Sequence, residues 1–86
     1  MVVMDHLART PKQIGAVIAR LRREQNLTQA ELAAKVGLRQ EAISKIEAGN
    51  AATRLSKILD MIAALDLELV IRPRSKSSPS DFEDIF

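Results

Sequence analysis

The stretch LTQAELAAKVGLRQEAISKIEAGN, residues 27–50, decides the fold of this chain. Its apolar residues recur at helical spacing and are interrupted once, at Gly37. Thr28, followed three residues later by Glu31, is a capping box that begins one helix, and Gly37 supplies the left-handed conformation that ends it. A second helix then runs to about Ala48. Two short helices joined by a turn that contains glycine predict a helix-turn-helix.

One further helix on each side of this stretch predicts an all-α fold class, a compact domain of four to five helices. TPKQIGAVIARLRREQN starts with Thr10 as a cap, Pro11 at the first helical position and Gln13 to complete a capping box. The apolar stripe of this helix is Ile14, Val17, Ile18 and Leu21. The last helix spans roughly residues 53–65, and its predicted buried residues are Leu55, Ile58, Leu59, Ile62 and Leu65.

The hydrophobic period changes in LELVIRP, residues 67–73, which alternates like a β-strand and ends at a proline. A single short strand has no partner within this chain, and a two-stranded pairing is marginal unless it packs on something. We therefore expect a homodimer in which two copies pair this strand across the dimer axis, through Leu67, Leu69, Val70 and Ile71. The alternative is one more frayed turn of the last helix.

Four regions follow from these patterns. Residues 1–9 are predicted to be a flexible arm, 10–66 the helix-turn-helix domain, 67–73 the dimerisation strand and 74–86 a disordered tail. The tail is rich in serine, proline and charge, and lacks the apolar content to fold alone.

The net charge of +2 conceals an asymmetry between body and tail. All 13 Lys and Arg residues lie within residues 1–76, whereas three of the 11 acidic residues lie within the last ten. A basic body attracts phosphate and an acidic tail does not. Ordinary solvation of a small domain explains the same charge, so the charge alone leaves the partner open.

Composition excludes several classes of function. The chain has no cysteine and one histidine, His6, so we expect no disulfide, no metal site and no cofactor. It has no glycine-rich phosphate loop, and Asp81, Glu83 and Asp84 lie on the tail, so we expect no enzymatic activity. No apolar run approaches the roughly 20 residues that span a bilayer, and the start has no signal-peptide pattern. We expect a soluble cytoplasmic protein.

The second helix of the helix-turn-helix has a polar outer face. With Ile43 and Ile46 turned inward, a rotation of about 100° per residue places Gln40, Glu41, Ser44 and Lys45 on the opposite side. Glutamine bonds adenine through N6 and N7, and lysine and serine donate to base edges or phosphate. Glu41 either accepts from cytosine or pairs with Lys45 one turn later, and we favour the pair. The alternative is the ordinary solvated face of an amphipathic helix.

The stretch from Leu27 to Asn50 resembles the Xre/Cro-type helix-turn-helix of phage repressors and their bacterial relatives. The resemblance covers roughly residues 13–65. It implies that Gln29 clamps a DNA phosphate and touches Gln40, and that the loop at Gly49 and Asn50 offers backbone amides to a phosphate. The base-reading positions that it implies are Gln40, Glu41, Ser44 and Lys45.

The same resemblance implies an internal ion pair between Arg22 and Glu47. The alternative for Arg22 is a phosphate contact. The sequence departs from the family pattern at Arg39, where a capping serine or threonine is usual, and this forgoes about 1 kcal/mol of helix stability. We expect Arg39 to contact DNA instead.

The domain followed at once by a short strand and tail is similar to HipB-type antitoxins. That similarity implies a homodimer that represses its own operon at an inverted-repeat operator and binds a HipA-type serine/threonine kinase toxin. The toxin contacts implied are the tail residues Phe82, Ile85 and Phe86. The alternatives are a stand-alone repressor without a toxin, and a tail that only tunes DNA affinity by repelling phosphate.

Overall fold

Four helices form in the computed structural model, which describes residues 5–74. They are α1 (Pro11–Glu24), α2 (Gln29–Val36), α3 (Gln40–Glu47) and α4 (Leu55–Ala64). The all-α prediction is confirmed at its lower helix count.

The helix starts follow from local side-chain chemistry. Thr10 accepts a hydrogen bond from the Gln13 amide at 3.1 Å. Thr28 accepts from the Glu31 amide at 3.0 Å while the Glu31 carboxylate accepts from the Thr28 amide at 2.9 Å, so the predicted capping box is present. The prediction that Gln13 completes a second box is wrong. Its side-chain oxygen reaches one residue further back and accepts from the Arg9 amide at 2.6 Å.

Each helix is followed by a residue in the left-handed conformation. Gly37 and Gly49 have φ values of 68° and 93°. Asn26 and Asp66 adopt φ values of 58° and 59° after α1 and α4, a role that their sequence context did not reveal. The turns after α1, α2 and α3 redirect the chain, so that α3 packs against α1 and α2, and α4 packs against α2.

The core takes at least one fully buried side chain from every helix. Its largest members are Ile18, Leu32, Ile43, Met61 and Leu65. A hydrogen bond also crosses the domain. The Gln25 side chain donates to the Leu65 carbonyl at 2.6 Å. This bond fastens the α1–α2 turn to the end of α4.

The predicted inner face of α4 is partly wrong. Leu55 and Leu59 are 64% and 42% exposed, and Met61, which the prediction omitted, is fully buried. The apolar arc of α4 is wider than one packing face, because Leu55 and Leu59 lie on a side adjacent to the one that holds Met61 and Leu65. Which part of such an arc turns inward depends on the neighbouring helices. The other two predicted residues, Ile58 and Ile62, are half-buried.

Residues 67–74 follow α4 without helix or strand. The predicted strand at 67–73 therefore finds no partner within residues 5–74, as the sequence analysis expected of a single chain. Its pairing across a dimer stays a prediction. Asp5 of the predicted arm reaches this segment, where the Arg72 guanidinium and the Asp5 carboxylate lie 2.8 Å apart.

Gly15 allows α1 to approach the end of α3 closely. A Cβ at this position would lie 2.6 Å from the Glu47 carbonyl oxygen and would also collide with the Ile46 carbonyl oxygen. Both atoms belong to backbone that cannot move without shifting α3. The sequence alone does not reveal this close approach, because a glycine inside a helix normally signals only a weaker helix.

We expect Gly15→Ala to lower the free energy of unfolding, although alanine gains about 1 kcal/mol in helix propensity. The collision with the α3 backbone outweighs that gain. Gly37→Ala is the matched control, since its Cβ would meet no atom within 4 Å and only the left-handed backbone costs about 1–2 kcal/mol. Urea unfolding measures both variants. A Gly15→Ala protein more stable than the parent would show that the approach is not tight.

Candidate nucleic-acid interface

The outer face of α3 is free of packing. Ile43 and Ile46 are 0% and 5% exposed and hold the helix to the core. Gln40, Glu41, Ser44 and Lys45 are all exposed on the other side. The side chains predicted to meet DNA thus share one solvent-facing surface.

Arg39 occupies the N-cap of α3 with extended backbone, and its side chain makes no capping hydrogen bond. The Arg39 side chain is exposed. The first turn of α3 therefore presents backbone N–H groups and a guanidinium at the same end of the helix. Both favour an anion at this position.

The loop after α3 differs from the prediction. The backbone N–H groups of Gly49 and Asn50 donate to the carbonyls of Ile46 and Lys45, at 3.0 and 3.1 Å, so they end the helix and are not offered to a phosphate. The Asn50 side-chain oxygen accepts from the Ala52 amide at 3.0 Å. Any contact from Asn50 to DNA would therefore use its side-chain N–H groups.

A buried ion pair joins α1 to the end of α3. Arg22 donates through Nε to one Glu47 oxygen at 2.7 Å and through a terminal nitrogen to the other at 3.1 Å. The two side chains are only 8% and 6% exposed. Arg22 also donates to the Leu27 carbonyl at 2.7 Å. Arg22 therefore forms the internal ion pair implied by the resemblance, and its guanidinium is not available for the alternative phosphate contact.

Gln29 joins the same network. Its side-chain nitrogen donates to Glu47 at 3.0 Å, and no hydrogen bond joins Gln29 to Gln40 within the described residues. Glu47 lies 18 residues further along the chain than Gln29, and nothing in the local sequence signals the pairing. The amide retains a second N–H group, and Gln29 is half-buried at the first position of α2.

Burial would raise the pKa of Glu47, but hydrogen bonds from Arg22 and Gln29 and the positive charge of Arg22 outweigh it and hold the pKa below its usual value. The hydrogen bond to Glu47 in turn raises the pKa of Arg22 against the opposing effect of burial. Both groups are therefore charged at neutral pH. No buried side-chain nitrogen or oxygen within residues 5–74 lacks a hydrogen-bond partner.

Residues 5–74 hold no cluster of His, Cys, Asp and Glu suited to a metal ion. None of the helices in this part of the chain has the length and apolar character needed to cross a membrane. The tail residues predicted to touch a toxin, Phe82, Ile85 and Phe86, lie outside the described residues.

A family model described as helix-turn-helix matches residues 18–71. An uncharacterized HTH-type transcriptional regulator, y4mF of Sinorhizobium fredii, is 36% identical over 63 residues, covering 73% of this chain and 83% of that protein. Antitoxin HipB of Escherichia coli K12 is 28% identical over 74 residues, covering 86% and 84%. A second Sinorhizobium fredii regulator, y4dL, is 43% identical over 53 residues, and this chain spans only 27% of its length.

Solved HipB structures share the fold. A complex of a HipB variant with an O2 20mer superposes with a TM-score of 0.78 and 26% identity, covering 84% of this chain and all of that one. HipB in a HipA-HipB-O2-O3 complex gives a TM-score of 0.76 at 25% identity, covering 83% of this chain.

We expect Glu47→Gln to cost about 3–5 kcal/mol, because it leaves the Arg22 charge buried without a counter-charge. In the parent, the lowered pKa of Glu47 makes the stabilising charge present above about pH 4.3 and lost as the pH falls through the lower folded-state value. Glu47→Gln should not show the part of the acid-induced loss of stability that comes from protonation of Glu47. Chemical unfolding from about pH 3, below the usual carboxyl pKa, to about pH 7 measures both the loss of stability and its pH dependence.

The matched control is Glu24→Gln, which breaks an ion pair with Arg20 whose two side chains are 60% and 56% exposed. Solvent screens that pair, so the expected change is below about 1 kcal/mol. Equal losses in the two variants would contradict a structural role for the buried pair.

Proposed function

The chain belongs to the helix-turn-helix family of DNA-binding transcriptional regulators, and we propose that it is a homodimeric, sequence-specific repressor that also acts as an antitoxin. Its target is an inverted-repeat operator upstream of its own operon, in the cytoplasm of a bacterium. Its protein partner is a HipA-type serine/threonine kinase toxin. In this role the protein binds DNA and a toxin and catalyses no reaction.

The observation that carries the DNA-binding part is the two-sided character of α3. Ile43 and Ile46 anchor the helix in the core while Gln40 and Ser44 are exposed, so the helix is held rigidly with its polar face outward. A major groove about 12 Å wide admits one such helix. We assign α3 to the major groove.

Each side chain on this face receives a role from its chemistry. Gln40 reads an adenine, and Ser44 donates to a base edge or a phosphate. Lys45 contacts guanine or phosphate. The expected ion pair between Glu41 and Lys45 is not among the salt bridges of residues 5–74, so Glu41 is left to accept from a cytosine. Arg39 contacts guanine or phosphate at the helix start.

Two residues beside α3 complete the proposed interface. Gln29 contacts a phosphate through the N–H group that Glu47 does not use, and Asn50 through its side-chain amide. These are proposals on side-chain chemistry, since the backbone amides at Gly49 and Asn50 are already engaged.

The homodimer is supported by apolar surface that the single chain leaves exposed. Leu69, Val70 and Ile71 are 54%, 66% and 93% exposed, and Leu55 and Leu59 of α4 are exposed as well. Contiguous apolar side chains of this size favour burial against another protein surface. Pairing the 67–73 segments of two copies would satisfy their backbone groups as well. A two-fold dimer then predicts half-sites spaced by whole helical turns.

The antitoxin part rests on the similarity to HipB, which extends over most of both chains. HipB assembles with HipA in a solved complex. The stand-alone regulator is the second candidate, because the regulator y4mF is more similar in sequence than HipB over a comparable length. Co-purification with the product of the neighbouring gene, followed by footprinting of the upstream DNA, distinguishes the two.

We expect Gln40→Ala to relax base choice at one position of each half-site and to cost about 1–3 kcal/mol on the operator, because a bidentate contact to adenine is lost. Binding to random DNA should change little. Titrations of both DNAs in matched salt measure the difference. Equal weakening on the two DNAs would contradict direct readout by Gln40.

Lys45→Ala and Lys35→Ala form a matched pair for the location of the interface, since each lysine is exposed in the last turn of an eight-residue helix. Lys45→Ala should reduce the slope of log affinity against log salt by about 0.9 if Lys45 contacts a phosphate, and Lys35→Ala should leave it unchanged. The same slope from both variants would place DNA elsewhere on the domain.

The tail assignment predicts that a chain ending at Arg74 still binds the operator but no longer neutralises the toxin. Phe82, Ile85 and Phe86 are then absent, and with them the apolar contacts proposed for the toxin. A growth-rescue assay measures neutralisation. Full rescue by the shortened chain would show that the toxin is bound through the helical domain.

A further inference from the structure

A groove of about 200 Å³ lies between α3 and the segment that leads into α4. Its floor is apolar and includes Leu38, Ala42 and Ile46, and its edge carries Lys45, Arg54 and Lys57. None of its lining residues is acidic. We call this surface the basic groove.

The cations of the basic groove oppose the stability of α4. Arg54 is its N-cap and makes no capping hydrogen bond, Lys57 lies in its first turn, and no acidic residue lies there. Positive charge at the start of a helix is unfavourable because the helix dipole is positive at that end. An acidic segment bound at this place would remove the repulsion.

The chain itself contains a segment with the complementary chemistry. SDFEDIF, residues 80–86, places Asp81, Glu83 and Asp84 among Phe82, Ile85 and Phe86. These include the only two aromatic side chains of the sequence. We propose that residues 80–86 dock in the basic groove of their own chain, with an apolar side chain on the floor and carboxylates against the three cations.

The groove is large enough for a phenyl ring, and the linker is long relative to the dimensions of the domain. A cavity of about 150 Å³ is large enough to bind benzene, so the basic groove has room for one phenyl ring. Seven residues separate Arg74 from Phe82, and the eight Cα–Cα steps between the two residues span up to about 27 Å when extended. The described domain is 39 Å in its longest dimension. A tether of this length gives an effective concentration of about millimolar, so a weak contact suffices.

A second groove, of about 420 Å³, provides a contrast. It is lined by Lys35, Val36, Asp60, Ala63 and Ala64, and so combines one cation with one carboxylate. An acidic segment gains little there, because Asp60 repels it. This groove serves as the internal reference for the experiments.

Docking regulates the DNA-binding face, and in this respect the inference rests on the proposed function. Lys45 and Asn50 line the basic groove and also belong to the proposed DNA interface. The tail and a DNA phosphate therefore compete for the same positive charges. A toxin that captured the tail would free the groove, so toxin and operator would strengthen each other's binding by the same factor.

Because the sequence has no cysteine, a single Ser78→Cys in the full chain accepts one spin label. We expect the label to broaden the amide signals of Thr53 and Lys57 more than those of Lys35 and Ala64. Lys57→Glu should abolish the preferential broadening, and Lys35→Glu, the same charge change at the second groove, should not. Uniform or absent broadening would overturn the proposal. A mixture of isotope-labelled chain with spin-labelled, unenriched chain tests for a second copy as the donor, and broadening of that kind would also overturn it.

Measurements of DNA affinity distinguish a tail docked in the basic groove from a tail that only repels DNA phosphate through its negative charge. Phe82→Ser with Phe86→Ser keeps every charge, and should raise operator affinity about tenfold if the tail occupies the groove nine-tenths of the time, because apparent affinity scales with the free fraction. A chain ending at Arg74 should gain at least as much. If only the shortened chain gains, the tail acts by charge alone and the docking proposal is wrong. Failure of every variant to bind DNA, with the broadening intact, would instead contradict the proposed function and leave the docking supported.

Discussion

The buried contact between Arg22 and Glu47 is the constraint on which the rest of this domain depends. It crosses 25 residues of sequence and joins the end of α1 to the end of α3, with neither side chain more than 8% exposed. A charge so far from water is tolerated only because its counter-charge and further hydrogen-bond partners are held in place. Gln29 supplies one of them from the start of α2. Three of the four helices therefore meet at a single carboxylate, and their relative orientation follows from it.

The orientation of α3 is the property that DNA recognition requires. The backbone at Gly15 lets α1 lie directly on the end of α3, while Ile43 and Ile46 hold the helix from the core side. With three independent restraints on its inner side, α3 presents Gln40 and Ser44 without needing either of them for stability. Side chains on the outer face of α3 could then change at little cost to the fold.

Under the proposed function and the proposed tail docking, DNA recognition and its regulation use the same surface. Arg39 and Arg54 stand at helix starts where a capping side chain would be more stable, and neither makes a capping bond. Stability forgone at these positions provides positive charge beside the polar face of α3. An acidic segment on the same chain is then a natural competitor for DNA. The proposed DNA binding and tail docking thus depend on the same positive charges.

Features set by interactions between residues a few positions apart could be predicted from the sequence alone. Thr10, Thr28 and Gly37 begin and end helices through bonds to neighbours three or four positions away, and the outward face of α3 follows from helical geometry alone. The rotation of α4, which buries Met61 and exposes Leu59, could not be predicted from the sequence. A wide apolar arc has no preferred inner side until other helices pack against it. Pairings over long stretches of chain, such as Gln29 with Glu47, likewise arise only when packing brings distant groups within hydrogen-bond distance.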